Sequence, residues 1–174
     1  MNETIQCLQT RRSCRKYKNT QITDEQLHAI LETGTYAPTG QGTQNPLIVA
    51  VQNPKLVSEI SRLNASVMNA ANDPFYGAPT VLIVFANTER RTYVDDGNMV
   101  IGNLLNAAHA VGVDSCYIYR ARETFKTEEG KQFMKQWGIP ETYEGIGNVI
   151  LGYGEPEGFR PTAARKENYY TIIK

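Results

Sequence analysis

Thr80-Val81-Leu82-Ile83-Val84-Phe85-Ala86 is an unbroken apolar and β-branched run of strand length. No polar residue alternates within it, which describes a strand covered on both faces. A strand of that kind needs a layer of structure on each side, so the run points to a layered sheet protein. Working outward, Asp95 to Val111 reads as a long helix, apolar at Met99, Val100, Ile101, Leu104, Leu105 and Ala108. Little of its circumference is polar, so a central position is expected. Upstream, Leu47 to Val51 is a short β-branched run and a second buried strand. Asn53-Pro54 then supplies a cap and a first-turn proline for a helix with the stripe Leu56, Ile60, Leu63 and Val67.

The same reading extends to both ends. Ile5 to Thr10 is a short helix with Ile5 and Leu8 on one face. Thr23-Asp24-Glu25-Gln26 fits a capping box; Leu27, Ile30 and Leu31 follow at helical spacing, and Gly34 is a stop. Ser115 to Tyr119 and Asn148 to Gly152 read as strands, and Thr127 to Trp137 as an amphipathic helix ending at Gly138. The chain closes with Tyr169-Tyr170-Thr171-Ile172-Ile173, an apolar tail strand that either pairs with its own sheet edge or reaches a partner subunit. There is no repeat or linker, so residues 1–174 form one expected domain. From pattern alone, strands alternate with helices in a three-layer arrangement with helices on both faces.

Composition narrows the function. Lys+Arg and Asp+Glu both number 18, so the broad basic surface that nucleic acid requires is not expected. No apolar run approaches the roughly 20 residues of a membrane span, and Met1-Asn2-Glu3-Thr4 lacks the features of a secretory signal. Cys7, Cys14 and Cys116 are odd in number without CxxC spacing, which points to a reducing cytoplasm. With only His28 and His109 beside them, no metal centre is expected.

Against that neutral background, Arg11-Arg12-Ser13-Cys14-Arg15-Lys16-Tyr17 concentrates four cations in seven residues. Guanidinium groups match phosphate oxygens bidentately, and Ser13 adds a hydroxyl. A solvated helix end is the plain alternative. Cys14, among cations, is expected to have a lowered pKa. A second feature is the loop Ala37-Pro38-Thr39-Gly40-Gln41-Gly42-Thr43-Gln44-Asn45-Pro46, whose glycines permit close approach to a ligand. It is not a dinucleotide fingerprint: Asn45 occupies the third glycine position and the loop runs from helix to strand. His109 and Cys116 read as core residues, and Asp95-Asp96 as a helix N-terminus. A chain with no evident protein acid, base or metal is one in which an organic cofactor carries the chemistry.

Taken in order, several segments resemble the FMN-dependent nitroreductase family, in its short, compact subgroup. They are Arg-Arg-Ser-x-Arg-x-Tyr from Arg11, Ala-Pro-Thr-Gly-x-Gly-x-Gln from Ala37, and Asp73-Pro74-Phe75-Tyr76-Gly77-Ala78-Pro79. Asp96 to Val111 and Tyr143-Glu144-Gly145-Ile146-Gly147 before Leu151-Gly152-Tyr153 complete the set, so the resemblance covers essentially the whole chain. It implies an α+β, three-layer α/β/α fold with a mixed central sheet flanked by helices. It also implies a homodimer with FMN at the subunit interface and a C-terminal segment exchanged between subunits.

Carried over by position, Arg11 and Ser13 hold the FMN phosphate with Arg12, and Arg165 with Lys166 closes that site. Arg15 approaches the flavin pyrimidine edge. Pro38, Thr39, Gly40, Gly42 and Gln44 line the ring from the partner subunit; many relatives have Asn at the position of Gly42. The backbone at Tyr119 and Arg120 faces flavin N5. Asn64 is the polar contact from the third helix, with Asn69 and Asn72 as alternatives. The implied activity is ping-pong hydride transfer from NADH or NADPH to nitroaromatics, quinones or similar acceptors, with no catalytic side chain beyond the flavin. A flavin-binding carrier or sensor without efficient turnover is the second reading. Arg90, Arg91, Arg120, Arg122 and Lys126 are candidate readers of a 2′-phosphate, and Phe75, Tyr76, Phe125 and Trp137 candidate roof residues.

Overall fold

The computed structural model describes residues 2–174. Its helices are α1 (Glu3–Thr10), α2 (Asp24–Thr35), α3 (Pro54–Ser66), α4 (Tyr93–Ala110), α5 (Ala121–Lys126) and α6 (Glu128–Gln136). Four strands, β1 (Leu47–Val51), β2 (Thr80–Asn87), β3 (Asp114–Ile118) and β4 (Tyr143–Gly152), form one sheet in the order β1-β2-β4-β3.

The two-faced reading of β2 holds residue by residue. Val81, Ile83 and Phe85 join a core with Val57, Ile60, Phe125 and Met134 from α3, α5 and α6. Leu82, Val84 and Ala86 join a second core with Leu27 and Ile30 of α2 and with Val100, Ile101 and Leu104 of α4. Every side chain from Val81 to Ala86 is fully buried. The fold is α+β in three layers. All three ladders are antiparallel, which corrects both the simple alternating pattern and the mixed sheet; the one parallel pairing is the isolated Ser13–Ser115 bridge.

Local chemistry sets the helix ends. Thr23 Oγ1 accepts from Gln26 N while Gln26 Oε1 accepts from Thr23 N, closing the capping box. Asn53 Oδ1 accepts from Lys55 N and Leu56 N ahead of Pro54. On α4, Val100, Ile101 and Leu104 are buried, but Asn98 and Met99 are exposed, so one face of the helix lacks cover within the chain. Tyr169–Ile173 forms no strand and is wholly exposed, so it does not pair with its own sheet edge. No helix among the described residues is long and apolar enough to cross a membrane.

Candidate functional site

Residues 11–17 leave α1 in extended form and lie against the start of β3 and the segment after β4. Cys14 N donates to Ser115 O at 3.0 Å, Arg15 N to Gly158 O at 2.8 Å, and Lys18 N to Tyr153 O at 2.8 Å. Tyr17 OH donates to Cys14 O at 2.9 Å, and burial pushes its pKa far above the ordinary phenol value. The segment is therefore held largely by backbone, and among the described residues the Arg11 and Arg15 side chains have no hydrogen-bond or ion-pair partner. Among the described residues, none of Arg11, Arg12, Arg15, Arg165 and Lys166 makes an ion pair, whereas Lys16 pairs with Glu157 at 3.4 Å. Three guanidiniums without carboxylate partners within five residues leave this segment electropositive, a candidate anion cradle. Arg12 turns inward, donating through Nη1 to Gln9 O and Arg11 O, both at 2.8 Å, and through Nε to Thr162 Oγ1 at 3.4 Å. That last bond brings the C-terminal segment bearing Arg165 and Lys166 past the cluster.

Cys14 departs from its expected reactivity. It is completely buried, donates from Sγ to Lys16 O at 3.1 Å, and burial raises its pKa. Neighbouring cations in sequence are not neighbours in space: a Cβ on Gly154 or Gly158 would sit 2.7 Å from the sulfur.

The other end of β3 carries the Tyr119–Arg120 turn, about 13 Å from Ser115 at ~3.3 Å per residue. Arg120 has φ 75° and ψ 20°, a left-handed bend that starts α5 without a side-chain cap. Two buried amides pin the turn from below. Asn64 Nδ2 donates to Tyr119 O at 3.0 Å and to Thr124 Oγ1 at 3.1 Å, and Asn148 Nδ2 to Ile118 O at 3.2 Å. Asn64 Oδ1, Asn148 Oδ1 and Arg120 Nε are buried without partners among the described residues. Orphaned polar atoms gathered at one turn mark a place built to meet further polar groups. Asn148, Thr124 and α5 were missed in the sequence.

The Pro38–Gln44 loop stands apart. Residues Gly40–Gly42 form a single 3₁₀ turn, and Gln41, Gly42 and Gln44 all have positive φ. Asp96, only 4% exposed, accepts from Gly40 N at 2.8 Å, Thr92 Oγ1 at 3.0 Å and Asn45 Nδ2 at 3.3 Å. Thr10 Oγ1 shares a 2.9 Å hydrogen bond with His109 Nε2, which fixes the Arg11 end of α1 near the opposite end of α4. Thirteen helical residues separate Asp96 from His109, or about 20 Å. One chain therefore does not bring the loop to the arginine cradle. Cavities of about 830 Å³ beside α3, 830 Å³ beside α6 and 460 Å³ beside α2 open elsewhere; of the expected site residues, Asn72 and Phe75 line the first, Phe125 and Lys126 the second, and Thr39 and Gln44 the third.

Other candidates sort by contact. Phe75 and Phe125 are core residues, and Trp137 stacks on Phe133 at 5.3 Å. Arg122 and Lys126 are both held by Glu144, at 3.0 and 2.7 Å. Burial pushes the Glu144 carboxyl up, but the Lys126 and Arg122 cations and the Tyr93 hydroxyl outweigh it and leave its pKa below the ordinary value.

A three-layer α+β protein with a basic extended segment at one sheet edge is the class these features define. The profile of the nitroreductase family matches residues 8–153, and the chain belongs to that family. An Archaeoglobus fulgidus protein named as an NADH dehydrogenase/NAD(P)H nitroreductase is 26% identical over 163 residues, covering 90% of this chain and 88% of its own. A Bacteroides fragilis nitroreductase solved with bound FMN has a TM-score of 0.92 at 28% identity, with both chains fully covered. A Desulfitobacterium hafniense nitroreductase, also with bound FMN, reaches 0.90 at 25% identity, again with both chains fully covered.

Proposed function

We propose that this chain is an FMN-dependent NAD(P)H oxidoreductase that reduces nitroaromatic, quinone or similar electron-poor acceptors as a homodimer. The observation that carries the proposal is the trio Arg11, Arg12 and Arg15, without carboxylate partners, beside a strand whose far end gathers orphaned polar atoms. An elongated cofactor with a phosphate at one end and a polar ring at the other fits that pairing. The FMN reported with the Bacteroides and Desulfitobacterium proteins has this shape.

When bound, FMN would supply the hydride chemistry that links a nicotinamide donor to an electron-poor acceptor. Arg11 and Ser13 bind the phosphate, while Arg12 ties the helix end to the tail that brings Arg165 and Lys166. Arg15 sets a cation at the ring edge where reduction brings negative charge. The turn held by Asn64 orients the Tyr119–Arg120 backbone toward the reacting face. Pro38, Thr39, Gly40, Gly42 and Gln44 serve the partner's site, consistent with their separation from the cradle in their own chain. With Arg122 and Lys126 committed to Glu144, Arg90, Arg91 and Arg120 are left to read a 2′-phosphate. Solvent supplies the protons.

The test is direct. Purified protein should be yellow and release FMN on denaturation, and NADH or NADPH should bleach it anaerobically. Colourless protein that FMN fails to reconstitute refutes the proposal. Protein that binds FMN but is not bleached by either nicotinamide belongs to the carrier or sensor reading.

A further inference from the structure

Asp96 is a buried carboxylate with no cation within ion-pair distance among the described residues. Such a group is expensive unless its hydrogen bonds are filled. Its place in the first turn of α4 accounts for a negative charge there but not for burial. Two of its three acceptor bonds go to the 38–46 loop, through Gly40 N and Asn45 Nδ2. Asn45 is itself buried and fixed from the other side, because Asn87 N donates to its Oδ1 at 2.6 Å. A Cβ added to Gly40 would collide with Thr92 Oγ1, the third donor to Asp96. Above this base the loop bonds to itself, Gly42 N to Thr39 O at 2.9 Å and Gln44 N to Thr39 Oγ1 at 3.0 Å, while Gln41, Gly42 and Gln44 are exposed and in left-handed conformations.

We infer that Asp96, with Asn45 and Thr92, is a positioning hub that sets the 38–44 loop for the flavin site of the other subunit. The inference rests on the dimeric FMN reading above and adds a residue with an effect in trans. Asp96 touches neither cofactor nor substrate in this scheme. It acts through Gly40, fixing the loop base so that Thr39, Gly42 and Gln44 are presented across the interface already ordered.

Two variants test the hub from opposite sides. Asp96→Asn keeps the volume and one acceptor but turns an amide donor toward Asn45 Nδ2, which cannot flip because Asn87 N holds its oxygen. Gly40→Ala drives a methyl group into Thr92 from the loop. Each homodimer should lose FMN affinity about tenfold or more, the scale of one charge-assisted hydrogen bond. Hydrogen exchange at residues 39–45 should accelerate, without FMN present.

The deciding measurement is the FMN stoichiometry of mixed dimers, made by co-expressing differently tagged D96N and R11A chains and purifying on both tags. Action in trans puts both lesions in one composite site and neither in the other. The mixed dimer should then hold one FMN per two chains at wild-type affinity. Weakened binding at both sites means that Asp96 serves its own chain, and overturns the inference. Wild-type FMN affinity in the D96N and G40A homodimers overturns it as well. Wild-type protein that binds no FMN, or is monomeric, instead refutes the underlying reading and takes this inference with it.

Discussion

Arg11 and Arg15 lie four residues apart and are assigned to opposite ends of the cofactor. Arg11 N donates to Cys7 O at the end of α1, whereas Arg15 N donates to Gly158 O beyond β4. Arg11→Ala should weaken FMN binding ~10–100-fold, the loss of a charge-assisted bond to phosphate, and leave the flavin potential unchanged. Arg15→Ala should also make the potential more negative, because a cation favours the anionic reduced ring. Titration of FMN with redox potentiometry checks both; equal potentials in the two variants would remove the electronic role of Arg15. Cys14 gives a second prediction. A thiol reagent on native protein should modify only Cys7, the one thiol not buried. The arginines were legible because charge density survives in a linear sequence. The reactivity expected of Cys14 fails because burial, with Gly154 and Gly158 packed against the sulfur, outweighs the cations beside it in sequence. Asn45, the residue that broke the glycine motif, proved to be an anchor, since its partners Asp96 and Asn87 are more than 40 positions distant.

At the scale of elements, β4 begins at Tyr143, five residues before the strand expected from the sequence. Gly145 and Gly147 lie within this added stretch of strand, and packing explains them. A Cβ on Gly145 would sit 2.7 Å from the backbone of Ala121, and one on Gly147 would strike the Tyr117 ring. The glycines let α5 and Tyr117 lie close against the strand. Gly145→Ala should therefore destabilise the fold by ~1–3 kcal/mol, the usual range for overpacking, measured by urea unfolding. Helix α5 escaped notice because it has six residues and no side-chain cap. It is tied to β4 by Arg122 and Lys126 on Glu144. The folded pKa of Glu144 lies below its ordinary value of 4.5, so this clasp contributes fully above that pH. The contribution fades as pH falls through the lower, folded value. The stability gap between wild type and Glu144→Gln should be constant near neutrality and shrink as pH falls below 4.5. A gap independent of pH would mean that Glu144 acts through packing alone.

At the scale of the molecule, the unexplained apolar surface is the strongest structural argument for a partner. Ile5 and Leu8 of α1, Met99 of α4, and Tyr169, Tyr170, Ile172 and Ile173 of the tail are all exposed. Burying one such aliphatic or aromatic side chain is worth roughly 1.5–3 kcal/mol, so their joint exposure is a large unsatisfied term. The sequence flagged the tail as too apolar for a free end, and left open whether it pairs at home or away. The structure rules out pairing with its own sheet, because residues 169–173 form no strand. In the homodimer proposed above, a second copy of this chain is the partner for this surface, and each loop base at Asp96 serves the other chain's cradle. Removing Tyr169–Lys174 should therefore weaken self-association at least ~10-fold, since losing one or two buried side chains suffices for that change. The same deletion should lower FMN affinity, although it spares Arg11, Ser13, Arg15, Arg165 and Lys166, and leave monomer stability in urea unaltered. Sedimentation equilibrium of the full and truncated chains measures the first effect, and FMN titration across protein concentration the second. A truncated chain that dimerises as tightly as the full one would leave the tail without a role at the interface. The apolar surfaces of α1 and α4 would then have to account for assembly by themselves.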